Sequence, residues 1–200
     1  LIKANFQKGD QATYESVANI KVSVPMAGTS ESIKTNGQTK ITVKDASADG
    51  YVIEMTTTNI KMEGNQEVAQ QTGNMLNQYL SNVPLLLKTD ANGKVKDILN
   101  YTEVQTQVSK LAMASIDSLY KAKPEMEKTL PKYKMAMSIN SLLTKEAFIE
   151  SAENNSFFIF FGKTLKTGDK VDMNKQGIKT TVTYEVNKEP NALNIIGKIK

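Results

Sequence analysis

The sequence predicts an α+β domain in which a curved, largely antiparallel, half-barrel-like sheet packs against several helices. Three observations predict it. Thr, Val, Ile and Tyr alternate with polar residues over 11–62 and again late in the chain, apolar residues recur at helical spacing in the middle, and turn dipeptides punctuate the extended stretches. A chain of 200 residues with 40% hydrophobic and 23% charged content has enough apolar material for a core without disulfides or a structural metal.

Each element has its own signal. Over 11–62, Asn36-Gly37 and Asp49-Gly50 mark turns of a three-stranded β-meander. Ile41 and Val43, then Tyr51, Ile53 and Met55, alternate as one buried face requires. After Glu63-Gly64 the period changes. Val68, Thr72, Met75, Leu76, Tyr79, Leu80 and Val83 trace an amphipathic helix that Pro84 ends. Residues 85–89 and 94–99 flank Asp90-Ala91-Asn92-Gly93, which reads as a second hairpin.

Val104, Val108, Leu111, Ala112, Ser115, Ile116, Leu119 and Tyr120 then form one stripe of a long helix. Pro124 and Pro131 punctuate the stretch after it. Tyr133, Met135, Met137 and Ile139 alternate as a strand would, yet their neighbours accommodate a helix, and helix is the preferred reading. Thr144 caps a short helix carrying Phe148, Ile149 and Ala152, which Asn154-Asn155 ends. Strands return over 179–186 and 192–199. The expected organisation is one domain over 1–200, with sheet from 1–62, 85–99 and 165–200 and helices mainly over 65–82 and 102–155. Lys8-Gly9-Asp10 and Thr167-Gly168-Asp169-Lys170 each precede a strand region, but Gly-Asp is common in turns and the shared dipeptide alone establishes no repeat.

The side-chain alphabet excludes much chemistry. The chain has no His, Cys, Arg or Trp. Imidazole and thiol catalysis and most zinc sites are therefore excluded, and no residue is assigned to catalysis, to a cofactor or to a metal. Carboxylate chemistry survives, so a glycosidase-like hydrolase is the enzymatic alternative, although nothing selects one pair among 21 acidic residues. The net charge of +4 is carried by lysines mixed with acids, which reads as a solvated surface and not as a nucleic-acid footprint. The longest apolar runs fall far short of the ~20 residues of a spanning helix.

Asp45-Ala46-Ser47-Ala48-Asp49-Gly50 spaces oxygen ligands as a calcium loop does, but position 12 is Thr56 and the residues after Gly50 alternate as a strand, so a hairpin turn is preferred. Phe157, Phe158, Phe160 and Phe161, with Met113, Met135 and Met137, are the candidate apolar ligand or partner surface, although buried core packing is the preferred reading of these residues. Lys121, Lys123, Lys128, Lys132 and Lys134 read as an exposed connection more than a membrane-docking face. Asn100-Tyr101-Thr102 and Asn154-Asn155-Ser156 match the glycosylation pattern, which is frequent by chance.

Lys8-Gly9-Asp10, Val43-Lys44-Asp45 through Gly50-Tyr51, Asn92-Gly93-Lys94-Val95 and Lys166-Thr167-Gly168-Asp169 together resemble a Bacteroidetes family of exported proteins and lipoproteins defined as a domain of unknown function. The chain departs from it at Lys170-Val171, where the family often has an aromatic. The resemblance implies an extracytoplasmic location, periplasmic or on the outer-membrane surface, with membrane attachment only through a lipid anchor outside these residues. It carries over no functional residue. A start at Leu1-Ile2-Lys3 without Met fits the same expectation of a trimmed, exported chain. The function expected is a non-enzymatic binding protein for a hydrophobic small molecule or an envelope protein, with a purely structural envelope role as a further alternative.

Overall fold

The computed structural model describes residues 1–24, 29–63, 79–155, 157–175, 178–189 and 192–199. Strands β1 (Gln11–Val24), β2 (Thr29–Ser47), β3 (Gly50–Glu63), β4 (Leu85–Thr89) and β5 (Val95–Ile98) form an open antiparallel sheet in chain order. Helices α1 (Tyr101–Ala122), α2 (Met126–Thr129), α3 (Lys132–Leu142) and α4 (Lys145–Glu153) come next. Strands β6 (Lys170–Lys175), β7 (Ile178–Glu189) and β8 (Ala192–Ile199) close the described chain. The fold is α+β, as the sequence predicts.

Alternation decides which face of the sheet is covered. Ile41, Ile53, Met55, Leu85 and Leu87 lie in one buried cluster with Val104, Val108, Ala112 and Ile116 of α1. Spacing of four residues keeps Val104, Val108, Ala112, Ile116 and Tyr120 on the inner side of α1, whereas Leu111 drifts off the stripe and is 44% exposed. Each fully buried Val, Leu or Ile contributes about 1.5–3 kcal/mol, so this interface supplies most of the cohesion between sheet and helices.

Local chemistry sets the connections. Ser47 pairs with Gly50 across a tight hairpin, and Gly50 has φ +142°. Its missing Cβ matters: one built there would lie 2.1 Å from the Thr89 carbonyl oxygen. In the β4–β5 turn the Asp90 carboxylate accepts the backbone N–H of Asn92 at 2.9 Å and of Lys94 at 3.0 Å. Thr144 caps α4 by accepting the Ala147 N–H at 3.1 Å.

Two expectations change. Asn36-Gly37 is no turn; it lies inside β2, where the register with β3 shifts between Asn36 and Gln38, and the β1–β2 connection falls between Val24 and Thr29. The extra residue of this bulge is on β3, where Asn59 and Ile60 together oppose Gly37 and Asn59 takes φ +54°, so the dipeptide sits opposite a bulge and not at a turn. The late strands do not join the first sheet: among the described residues β6, β7 and β8 pair as a separate three-stranded sheet. The helix expected over 65–82 lies, as far as residue 78, outside the described residues, although Leu80 and Val83 after it are buried. The ambiguous stretch around Met135 is helical, with Ile139 buried.

The first residues of the chain bind distant segments together. Ile2 exchanges backbone hydrogen bonds with Lys163 at 2.8 Å and Gly162 at 2.9 Å, and the Ala4 N–H donates to the Asn92 carbonyl at 3.0 Å. Tyr51 donates its hydroxyl to the Ala4 carbonyl at 3.3 Å.

Candidate functional site

Three of the four sequence-selected phenylalanines, Phe157, Phe158 and Phe161, meet beside the N-terminal segment. A run of turns over 157–163 brings their rings together, beginning with the Phe158 N–H on the Asn155 carbonyl. Phe157 lies at centroid distances of 4.8 Å from Phe158, 5.5 Å from Phe161, 5.6 Å from Phe6 and 5.4 Å from Tyr14. Phe6 also meets Tyr51 edge-on at 5.2 Å. These spacings are those of favourable aromatic pairs. Phe158 is buried, Phe157 and Phe161 are half-buried against the main core, and Tyr14 is 43% exposed, so the cluster reaches solvent at its Tyr14 edge. Phe160 points elsewhere and meets Tyr184 of β7 at 5.9 Å.

The methionines belong to the helical layer. Met113 of α1 and Met135 of α3 pack half-buried against the core, while Met137 stands 67% exposed. Tyr133, one turn before Met137, is 61% exposed. Helix α3 is thus apolar on two faces: Met135, Ala136 and Ile139 turn inward, Tyr133 and Met137 outward. The expected surface therefore divides into an aromatic cluster and an outward helix face.

A third feature lies on the other side of the sheet. Gln38 and Asn36 alternate with Ile41 and Thr39 along β2, so they face away from the helices. With Glu15, Val17, Asn59 and Lys61 they line an open pocket of about 440 Å³. The Asn59 amide donates to Gln38 at 2.9 Å, and the Gln38 amide to Glu15 at 3.3 Å. Asn59 has φ +54°, as the bulge requires. The Asn36 Oδ1 is buried without a hydrogen-bond partner. Carboxamides of this kind hold polar neutral groups and supply no proton transfer.

The carboxylates with displaced titration are structural. Burial pushes the Asp90 carboxyl up, but the Lys94 and Asn92 amides and the Lys96 ammonium outweigh it and hold the group below its ordinary value. The Lys145 ammonium, against partial burial, holds Asp97 low, helped by the Ile98 amide. A glycosidase acid needs the opposite displacement. Asp45 sits in β2 at 3.5 Å from Lys8, and Asp49 lies in the hairpin, so Asp45 to Gly50 adopts the turn preferred from sequence. Among the described residues no group of three or more acids is placed to hold a metal. The Asn100 side chain is committed to β4, accepting the Leu86 N–H and donating to the Pro84 carbonyl, each at 2.9 Å. Lys132 pairs with Asp117 at 2.6 Å, tying α3 to α1.

Sequence reasoning missed Phe6, Tyr14 and Tyr133. Tyr14 shares the strand alternation of β1, a usable signal; Phe6 precedes any periodic element and gives none. No helix among the described residues is long and apolar enough to cross a membrane. Comparison of the chain with protein-family models, with curated proteins and with solved structures finds no match.

Proposed function

We propose that this chain is a non-enzymatic, extracytoplasmic binding protein that engages an envelope protein through the outward face of α3. The observation that carries the reading is the pair Tyr133 and Met137, one helical turn apart and 61% and 67% exposed. A surface helix needs one apolar face to dock on its core, and α3 already has one through Ile139 and Met135. A second apolar face is a contact surface in search of an occupant. Methionine suits such a face because its unbranched side chain adapts to the partner. The extracytoplasmic placement rests on the resemblance carried by Lys8-Gly9-Asp10 and its companion motifs.

A second reading, a small hydrophobic ligand at the aromatic cluster, is favoured by the exposure of Tyr14 beside Phe157. Carboxylate hydrolysis has less support, since Asp90 and Asp97 are both displaced toward the ionised form and held by structural partners.

Native mass spectrometry of protein isolated from its own host, with lipid extraction of the same sample, tests both. A co-isolated protein lost from a Tyr133→Ser/Met137→Ser double variant supports the α3 surface. An extracted lipid lost on Tyr14→Ser moves the assignment to the aromatic cluster. Retention of neither species by the native chain overturns the binding reading.

A further inference from the structure

The Gly-Asp echo, too short to establish a repeat in sequence, is a repeat in hydrogen bonds. Before β1, the Gln7 N–H donates to the Asp10 carboxylate at 2.8 Å and the Asp10 N–H returns to the Gln7 carbonyl at 3.1 Å. Before β6, the Lys166 N–H donates to the Asp169 carboxylate at 2.8 Å and the Asp169 N–H returns to the Lys166 carbonyl at 3.1 Å. Gly9 has φ +94° and Gly168 φ +92°. Each turn docks on the second strand of its meander: Gly9 and Asp10 exchange bonds with Val43 at 2.8 Å, and Gly168 and Asp169 with Tyr184 at 2.8 and 2.9 Å.

The register then agrees residue for residue. Gln11, after Asp10, pairs with Thr42, before Val43; Lys170, after Asp169, pairs with Thr183, before Tyr184. The residue preceding each glycine reaches two positions past the docking residue, Lys8 to Asp45 by a salt bridge and Thr167 to Val186 by two hydrogen bonds. Strands β1, β2 and β3 thus correspond to β6, β7 and β8, with a shorter first hairpin in the second set.

The correspondence assigns a role to an edge. In the first meander β3 is covered on its outer side by β4, with Ile53 opposite Leu87. Ile53 is the register partner of Val43, and Gly197 of β8 is the register partner of Tyr184. Because the Tyr184 N–H and C=O face the Gly-Asp turn, Tyr184 and Gly197 form a non-hydrogen-bonded pair. The N–H and C=O of Gly197 therefore point away from β7. Among the described residues β8 pairs only with β7.

We propose that the outer edge of β8, centred on Gly197, is a strand-acceptor surface. It takes an extended peptide segment with apolar residues at alternate positions, as the β3 edge takes β4 with its buried Leu85, Leu87 and Thr89. This surface is separate from the α3 face and stands or falls independently of it.

The probe is a labelled peptide with the sequence of residues 83–90, titrated onto the full chain. Saturable binding is expected, weakened at least tenfold by N-methylation at the positions of Leu85 and Leu87. Gly197→Pro removes the outward donor, a change an edge strand tolerates, and is expected to weaken binding at least tenfold with circular dichroism and melting midpoint unchanged. Hydrogen exchange on the native chain gives a readout independent of that variant: slowed exchange at Gly197 and Ile195 on adding peptide supports the edge. Unchanged exchange there, no saturable binding, or equal binding by a folded Gly197→Pro chain overturns the proposal. A concentration-dependent dimer abolished by Gly197→Pro, without peptide binding, also overturns it by giving the edge to a second copy.

Discussion

Two glycines show how single residues fix the approach of distant backbone. Gly50 and Gly93 both have positive φ, +142° and +89°, and both face close neighbours. A Cβ at Gly93 would meet the Ala4 Cβ at 2.7 Å and the Phe161 ring at 3.0 Å, whereas one at Gly50 would meet the Thr89 carbonyl oxygen at 2.1 Å. A side chain or a terminal segment can shift by some tenths of an ångström; a carbonyl within a paired strand can move only with its ladder. Gly50→Ala is therefore expected to destabilise by about 3 kcal/mol or more and Gly93→Ala by about 2, both combining strain at positive φ with overpacking. Urea unfolding of the two variants checks the order. Equal losses would show that the β3–β4 approach yields as readily as the N-terminal segment does.

Elements are held together here by contacts that differ in how far sequence reveals them. The Asp90–Gly93 turn, the stripe of α1 and the Thr144 cap are written in neighbouring residues, and they were legible. Strand partners are chosen across long separations, so the division of the sheet, the β3 bulge opposite Gly37 and the docking of Gly168 on Tyr184 were not. The candidate site obeys the same rule: the Phe run was visible, but its meeting with Phe6 and Tyr14 depends on the whole path of the chain. Between β5 and α4 the coupling includes the ion pair of Asp97 with Lys145. The folded carboxyl of Asp97 titrates below its ordinary 3.8, so its contribution is fully present above that pH and is lost as pH falls through the lower folded value. Both side chains are more than a third exposed, 38% and 39%, and solvent screening limits the pair to about 0.5 kcal/mol. Lys145→Gln should cost about that much at neutral pH and nothing near pH 2, read from urea midpoints of both chains across the acid range. A cost that persists at low pH would mean that packing of the lysine stem, not charge, joins β5 to α4.

At the scale of the whole molecule, the first six residues act as a keystone. They join the β4–β5 turn through Ala4, the 157–163 turns through Ile2, and β3 through the Tyr51 hydroxyl. Phe6 fixes this arrangement by meeting Tyr51, Phe157 and Phe161 at once. Removing its ring deletes three aromatic pairs and opens a void at the junction, but Phe6 is only half-buried and the cost falls below that of a fully buried Phe. Phe6→Ala is expected to destabilise by about 2–3 kcal/mol. Its distinguishing effect is spatial. Amide exchange should accelerate together at Ile2, Ala4, Phe161 and Gly162, while the α1 amides around Val108 and Ala112, fully buried in the core, keep the protection set by global unfolding. Acceleration confined to the first six residues would mean that the N-terminal segment lies on a finished structure; acceleration shared with 157–163 means that it secures those turns to the β4–β5 turn and β3.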